Sequence, residues 1–289
     1  MSEQNQAPSS FTWVELSTTD HAGAKHFYTE LFDWSTFDAP ATDHGVYTMF
    51  TRAERRVGGL FERTPEMAAQ GVPPNWMGYI SVADIERSTA HVRELGGKVL
   101  MGPMEIAGQG KMATIADPTG AVVALWEALG QGDSAGFGEP GFLCWSELAT
   151  HDTEVAERFY TRLFGWKTTK QDMGNMIYTC FLNGEVGFAG MMALGKEFGD
   201  APPHWQQYFA VTDCADTSRR AGELGAKVFM PPTEIPNTGI FSTFQDPQGA
   251  VFSVIQLITN GVNVGLDLLF VIGMSLGVAG VAWATFIAE

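Results

Sequence analysis

Two glutamates stand at matching places in this 289-residue chain, Glu15 in Trp13-Val14-Glu15-Leu16 and Glu147 in Trp145-Ser146-Glu147-Leu148. Both segments read as short strands. Successive strand side chains point to opposite faces, so each tryptophan shares a face with the glutamate two residues on. A carboxylate on an enclosed face is costly unless it is paired, hydrated or bound to a ligand. Three roles stay open for the pair: a general base for an acidic C–H, a ligand of a metal, or a salt-bridged structural acid. Aromatic residues recur at matching places as well, Trp13 with Trp145, Tyr47 with Tyr178, Trp76 with Trp205 and Tyr79 with Tyr208. Flat apolar walls with polar tips suit a small organic ligand, and a packed sheet core is the alternative reading. The histidines do not match between the halves: His204 answers to Asn75, His26 to Arg158 and His151 to Thr19. A shared catalytic histidine is therefore not expected. No phosphate-cradling glycine loop, GxSxG elbow or HExxH pair occurs.

The elements that position these residues come from an internal repeat. Phe27-Tyr28-Thr29-Glu30-Leu31-Phe32-Asp33-Trp34 returns as Phe159-Tyr160-Thr161-Arg162-Leu163-Phe164-Gly165-Trp166, and Asp117-Pro118-Thr119-Gly120-Ala121-Val122 returns as Asp246-Pro247-Gln248-Gly249-Ala250-Val251. Order and spacing are kept, which implies two homologous domains over residues 8–129 and 140–258. The Gly- and Ser-containing stretch at 130–139 links them. Within each domain the pattern is itself doubled. In the first, a strand over 11–17 meets an N-cap at Thr19 or Asp20, and a helix follows with Phe27, Leu31 and Phe32 on its apolar face. Short strands at 47–51 and 57–62 complete this half. A second strand at 76–82 leads through Asp84 into a helix stopped by Gly96-Gly97, and strands near 98–101, 111–116 and 121–126 close the unit. The arrangement is βαβββ, twice per domain and four times in the chain, an α+β class.

A βαβββ doublet with the pattern DxxxAxxFYxxLFxW at residues 20–34 and 152–166, and a last strand after Asp-Pro-x-Gly, resembles the vicinal oxygen chelate superfamily. The resemblance covers roughly residues 10–130 and 140–258. It extends to glyoxalases, bleomycin-binding proteins, fosfomycin-modifying enzymes and extradiol dioxygenases, and is greatest toward bacterial two-domain glyoxalase-like proteins. It implies curled sheets forming cups, with metal ligands pointing inward from the strands. By the family's register, however, the ligand positions fall on Trp13 and Trp145, on Ala124 and Ser253, on Met77 and Gln206, and near Gly59 and Gly190. Only Gln206 could ligate. A divalent metal is thus implied by the family while its usual positions are not filled, which argues against dioxygenase chemistry.

Composition bounds the rest. The apolar fraction is 45%, the charged fraction 17% and the net charge −16, so a globular protein is expected and nucleic acid is not an expected partner. Cys144, Cys180 and Cys214 are too few and too scattered for a disulfide framework or thiolate site. The polar N-terminus carries no signal-peptide pattern, and a cytoplasmic protein is the expectation. Residues 262–289 form an apolar tail, uncharged over 268–288. A transmembrane helix that anchors the chain, an accidental extension and a packing helix are its alternative readings, and Gly273 with Gly277 would suit helix pairing in a homodimer. The function expected is handling of a small organic molecule. One form is a glyoxalase-like lyase or isomerase acting on a reactive carbonyl, with Glu15 and Glu147 as catalytic candidates. The alternative is a non-catalytic protein that sequesters a small aromatic or hydrophobic compound, held by the paired tryptophans and tyrosines and by Gln206.

Overall fold

The computed structural model describes residues 9–258 apart from 40–44, 107, 131–135, 175 and 236–237. The apolar tail lies outside the described residues. In the N-terminal half, β1 (Phe11–Thr18), α1 (His21–Phe32), β2 (Ser35–Ala39), β3 (Tyr47–Arg52) and β4 (Arg55–Glu62) form one βαβββ unit. A short helix, α2 (Pro65–Ala69), leads to the second unit: β5 (Asn75–Ser81), α3 (Ile85–Glu94), β6 (Lys98–Ile106), β7 (Gly110–Ala116) and β8 (Val122–Ala128). The C-terminal half repeats this with β9 (Leu143–Thr150), α4 (Thr153–Phe164), β10 (Lys167–Asp172), β11 (Ile177–Asn183), β12 (Val186–Ala193), β13 (His204–Ala210), α5 (Cys214–Glu223), β14 (Lys227–Ile235), β15 (Gly239–Gln245) and β16 (Val251–Leu257). A 3₁₀ turn at Lys196–Phe198 stands where α2 stands in the first half.

Each half is one eight-stranded mixed sheet, ordered β2-β3-β4-β1-β5-β8-β7-β6 and β10-β11-β12-β9-β13-β16-β15-β14. The two units of each half meet at the centre, where β1 runs antiparallel to β5 and β9 to β13. The helices start where the sequence indicates: Asp20 and Asp152 accept the backbone N–H groups of Gly23 and Val155 at 3.0 Å each. This satisfies donors that the first helical turn leaves unpaired. Asp33 and Gly165 end these helices in the left-handed region, at φ 56° and 72°.

The helix-bearing faces of the two sheets meet, and one continuous core runs between them. Phe11 packs on Trp205 with ring centroids 5.0 Å apart, and Trp76 on Phe209 at 5.1 Å. Polar ties are exchanged reciprocally. Tyr28 donates to Asp246 at 2.9 Å and Tyr160 to Asp117 at 3.0 Å. The Trp34 indole N–H donates to the Gly141 carbonyl and that of Trp166 to the Ser9 carbonyl, at 2.9 and 2.7 Å. The repeated Phe-Tyr and Asp-Pro motifs therefore do a shared job: each tyrosine reaches the turn aspartate of the opposite half. Both aspartates also accept backbone N–H groups of their own turns. With the helical faces joined, the two other faces, which carry Glu15 and Glu147, turn outward.

Candidate ligand-binding site

Register defines the N-terminal cup row by row, since residues directly opposite in a sheet share a face. Glu15 lies opposite Gly59 on one side and Met77 on the other. Gly59 is in turn opposite Met49, and Met49 opposite Phe37. The next row carries Trp13, Tyr79, Ala124, Thr114 and Met101. A third places Met104, Met112 and Trp126 side by side. The cup is thus a wall of methionine and aromatic side chains around one carboxylate.

That carboxylate is held by two phenols. Tyr47 donates to Glu15 Oε1 at 2.6 Å and Tyr79 to Oε2 at 2.5 Å. Burial of the carboxyl group pushes its pKa above the usual range, and the two tyrosine donors oppose that rise. Both phenols are pushed well above their ordinary range by burial and by the neighbouring carboxylate, so they remain O–H donors. The C-terminal cup repeats the trio. Glu147 accepts from Tyr178 at 2.8 Å and from Tyr208 at 2.9 Å, and Trp145 Nε1 donates to the Tyr178 hydroxyl at 3.0 Å. Its carboxyl is likewise raised by burial.

A glycine opposite each glutamate makes the trio possible. A Cβ on Gly59 would stand 2.0 Å from the Tyr47 hydroxyl, and one on Gly190 would stand 1.9 Å from that of Tyr178. These are the positions at which the family's register calls for a metal ligand. The side chain is missing and a tyrosine hydroxyl occupies the space.

Of the residues expected to form the site, Trp13, Glu15, Tyr47 and Tyr79 come together in the first cup, and Trp145, Glu147, Tyr178, Tyr208 and Gln206 in the second. Trp76 and Trp205 do not. Each lies three positions before its strand's cup-facing tyrosine, an odd separation, so it projects from the opposite face. Both are buried in the interdomain core, their indole N–H groups donating to Tyr28 and Tyr160 at 2.9 Å. Gln206 sits opposite Glu147 and donates to Ser253 at 3.3 Å, and Ser253 pairs with Thr243. Several cup residues are not signalled by the sequence, namely Met49, Met101, Met112 and Trp126. Counting outward from Glu15 by strand alternation finds them only once the pairing register is known.

The donor set does not fit a divalent metal. The laterally opposed positions are Gly59 and Met77 or Gly190 and Gln206, and Ala124 and Ser253 stand where a carboxylate would be needed. Among the described residues no group of three or more His, Cys, Asp and Glu side chains could hold an ion. Nor does the site offer a thiolate: Cys180, beside Glu147, is pushed up to about 12 by burial and by that carboxylate.

Against known proteins, residues 10–125 and 143–254 match the model of the Glyoxalase/Bleomycin resistance protein/Dioxygenase superfamily. The chain belongs to this superfamily. The "Putative glyoxylase CFP32" of Mycobacterium tuberculosis is 37% identical over 246 residues, covering 84% of this chain and 93% of that one. The anthracycline biosynthesis protein DnrV of Streptomyces peucetius is 33% identical over 261 residues, covering 87% and 94%. Among solved structures, the Mn(II)-bound glyoxalase from Novosphingobium aromaticivorans superposes with a TM-score of 0.61 at 14% identity, covering 86% of this chain and 82% of that one. That last likeness is one of fold alone. Within the superfamily this chain keeps the paired βαβββ cups and fills their floors with a glutamate and two tyrosines. Among the described residues no helix is long and apolar enough to cross a membrane.

Proposed function

We propose that this protein binds a small, largely apolar organic molecule in a sheet cup, with the glutamate–tyrosine trio as the polar end that orients it. The observation that carries this reading is the floor itself, a buried carboxyl held by two phenols inside a wall of apolar side chains. Such a floor can accept from or donate to a ligand oxygen or nitrogen while the walls take its carbon skeleton. Superfamily membership supports small-molecule handling, and the DnrV relative is named for anthracycline biosynthesis. The test is a thermal-shift and calorimetric panel of neutral, anionic and cationic aromatic compounds against a panel of small polar carbonyls. Saturable binding confined to the aromatic set is expected. Binding of neither set by the pure protein would sink the reading.

A second reading, proton transfer next to a carbonyl, is favoured by one observation: burial raises Glu15 and Glu147 toward the range in which a carboxylate serves as a base. In this reading the glutamate takes a C–H proton, the C–H electron pair shifts into the adjacent C=O to give an enolate, and a tyrosine O–H turns from the glutamate to the enolate oxygen. For an α-hydroxy carbonyl, the hydroxyl proton passes to the enolate oxygen and the glutamate returns its proton to the former carbonyl carbon. The old hydroxyl carbon becomes the new C=O, an isomerisation without a redox partner. Proton NMR in D₂O would show loss of the substrate C–H signal with wild type and none with Glu15→Gln together with Glu147→Gln.

A further inference from the structure

We propose that the two cups have divided roles: the N-terminal cup is the binding site, one per chain, and its ligand is a flat aromatic molecule carrying an acidic oxygen directed at Arg56. The proposal rests on the binding reading above and adds to it the domain, the stoichiometry and the ligand's charge.

The C-terminal cup is filled by its own side chains. Trp145, Met192, Met230, Phe241 and Ile255 are each 3–7% exposed and form a compact cluster around Tyr178. Leu194 and the 3₁₀ turn fold over this cluster, Phe198 being 3% exposed within it. Glu147 is 8% exposed, and Tyr208 is the one member of its trio that is partly exposed. The N-terminal cup has the same backbone and the opposite outcome. Helix α2, which stands where the 3₁₀ turn stands, buries no residue. Met101, the counterpart of Met230, is 46% exposed, and Met104 and Phe37 on the rim are 44% and 65% exposed. Trp13, Met49, Met77, Met112 and Trp126 are partly exposed. An outward face with this much apolar surface around a polar floor is the usual mark of a ligand site. Thioether side chains adapt their shape and pack well on aromatic rings, which favours a flat ring system as occupant.

Arg56 supplies the charge. Its neighbour Arg55 turns toward the domain interface, lying over the Phe142 ring at 4.6 Å and pairing with Glu139 at 2.8 Å. Strand alternation therefore directs Arg56 to the cup side, where its charge acts on Tyr47. It is exposed and has no ion-pair partner among the described residues. In the C-terminal cup the same register position, opposite Leu182 rather than Thr51, is Gly187. That row of the C-terminal cup carries Lys167, which pairs with Glu185 at 3.8 Å, so the open cup is the one whose cation has no acidic partner among the described residues. A planar guanidinium recognises an oxyanion well. An aromatic body against Trp13, Trp126 and the methionines would bring an acidic substituent to Arg56, while the Tyr47 proton stays with Glu15.

The test uses 2-naphthoate as probe, with 2-naphthylmethylamine as its cationic isostere, titrated calorimetrically into the full chain. One naphthoate per chain is expected, bound about fivefold to tenfold more tightly than the amine. Arg56→Gln, a change at an exposed site, should abolish that preference, and Trp126→Ala should weaken both probes. Ile255→Ala in the other cup should leave both unchanged. Two equivalents per chain, tighter binding of the amine, or sensitivity to Ile255→Ala rather than Trp126→Ala would each overturn the proposal while leaving the general binding reading standing. If neither probe binds, the ligand class is wrong, and the wider panel decides separately whether the binding reading survives.

Discussion

Glu15 and Glu147 carry a measurable consequence of their burial. Each folded-state pKa is raised, chiefly by desolvation. Between the ordinary carboxylate value and the raised one, the folded chain therefore holds more protons than the unfolded chain, and folding stability falls as pH rises through that window. Replacing either glutamate with glutamine removes the titration. The variants Glu15→Gln and Glu147→Gln should gain stability relative to wild type at pH 8 but not at pH 4. The gain at pH 8 over that at pH 4 reads the shift itself, since each tenfold change in acidity between folded and unfolded chain is worth about 1.4 kcal/mol. Urea titrations at the two pH values check this, and equal differences at both would mean the carboxyls are not desolvated in solution. The glutamates themselves were legible in the sequence as a matched pair on a strand face. Their phenol partners were legible only as nearby aromatics, because Tyr47 and Tyr79 lie 32 and 64 residues from Glu15 and meet it through pairing.

Strand alternation and glycine placement decide what the elements present. Gly59 and Gly190 fall in sequence near a position where the family's register calls for a ligand, and in the fold they leave room for a tyrosine hydroxyl. Gly59→Ala places a methyl group inside that hydroxyl's volume, so Tyr47 must move and Glu15 loses a donor. A loss of about 1–3 kcal/mol in stability is expected, the range typical of overpacking. Gly59→Ala combined with Tyr47→Phe should recover part of it, because the clashing oxygen is gone. A double-mutant cycle by chemical denaturation measures the coupling, and strict additivity would contradict it. The same alternation corrects the two tryptophans: Trp76 and Trp205 look like cup residues from their neighbourhood in sequence, but period two sends them into the core. A helix–strand pattern can be read without the register; the set of aromatics that face a ligand cannot.

Across the whole molecule the two halves are joined by side chains that also define the repeat. Tyr28 and Tyr160 donate across the interface to Asp246 and Asp117, and each accepts an indole N–H from its own half. Tyr28→Phe leaves an acceptor oxygen of Asp246 buried without its donor and should cost about 1–3 kcal/mol. Tyr160→Phe should cost a similar amount. With one core running through both sheets, a single calorimetric transition is expected for wild type. Two separated transitions would show that the interface does not couple the halves.

That four βαβββ units pair into two homologous domains follows from residue order alone, because the information is local: periodicity, N-caps, turn residues and a repeat kept in order. That the positions counted from the family's pattern hold no usual ligand except Gln206 is equally plain in the chain, since residue type at a counted position needs no coordinates. Three things became visible in the folded molecule: which aromatic residues meet the carboxylates, that the repeat motifs clamp one domain to the other, and that the wall of one cup is largely exposed while that of the other is largely buried. These depend on side chains from strands far apart in the chain arriving on one face, and on whether a short segment covers that face. Both are settled by long-range pairing and packing, which leave little trace in any local stretch of residues.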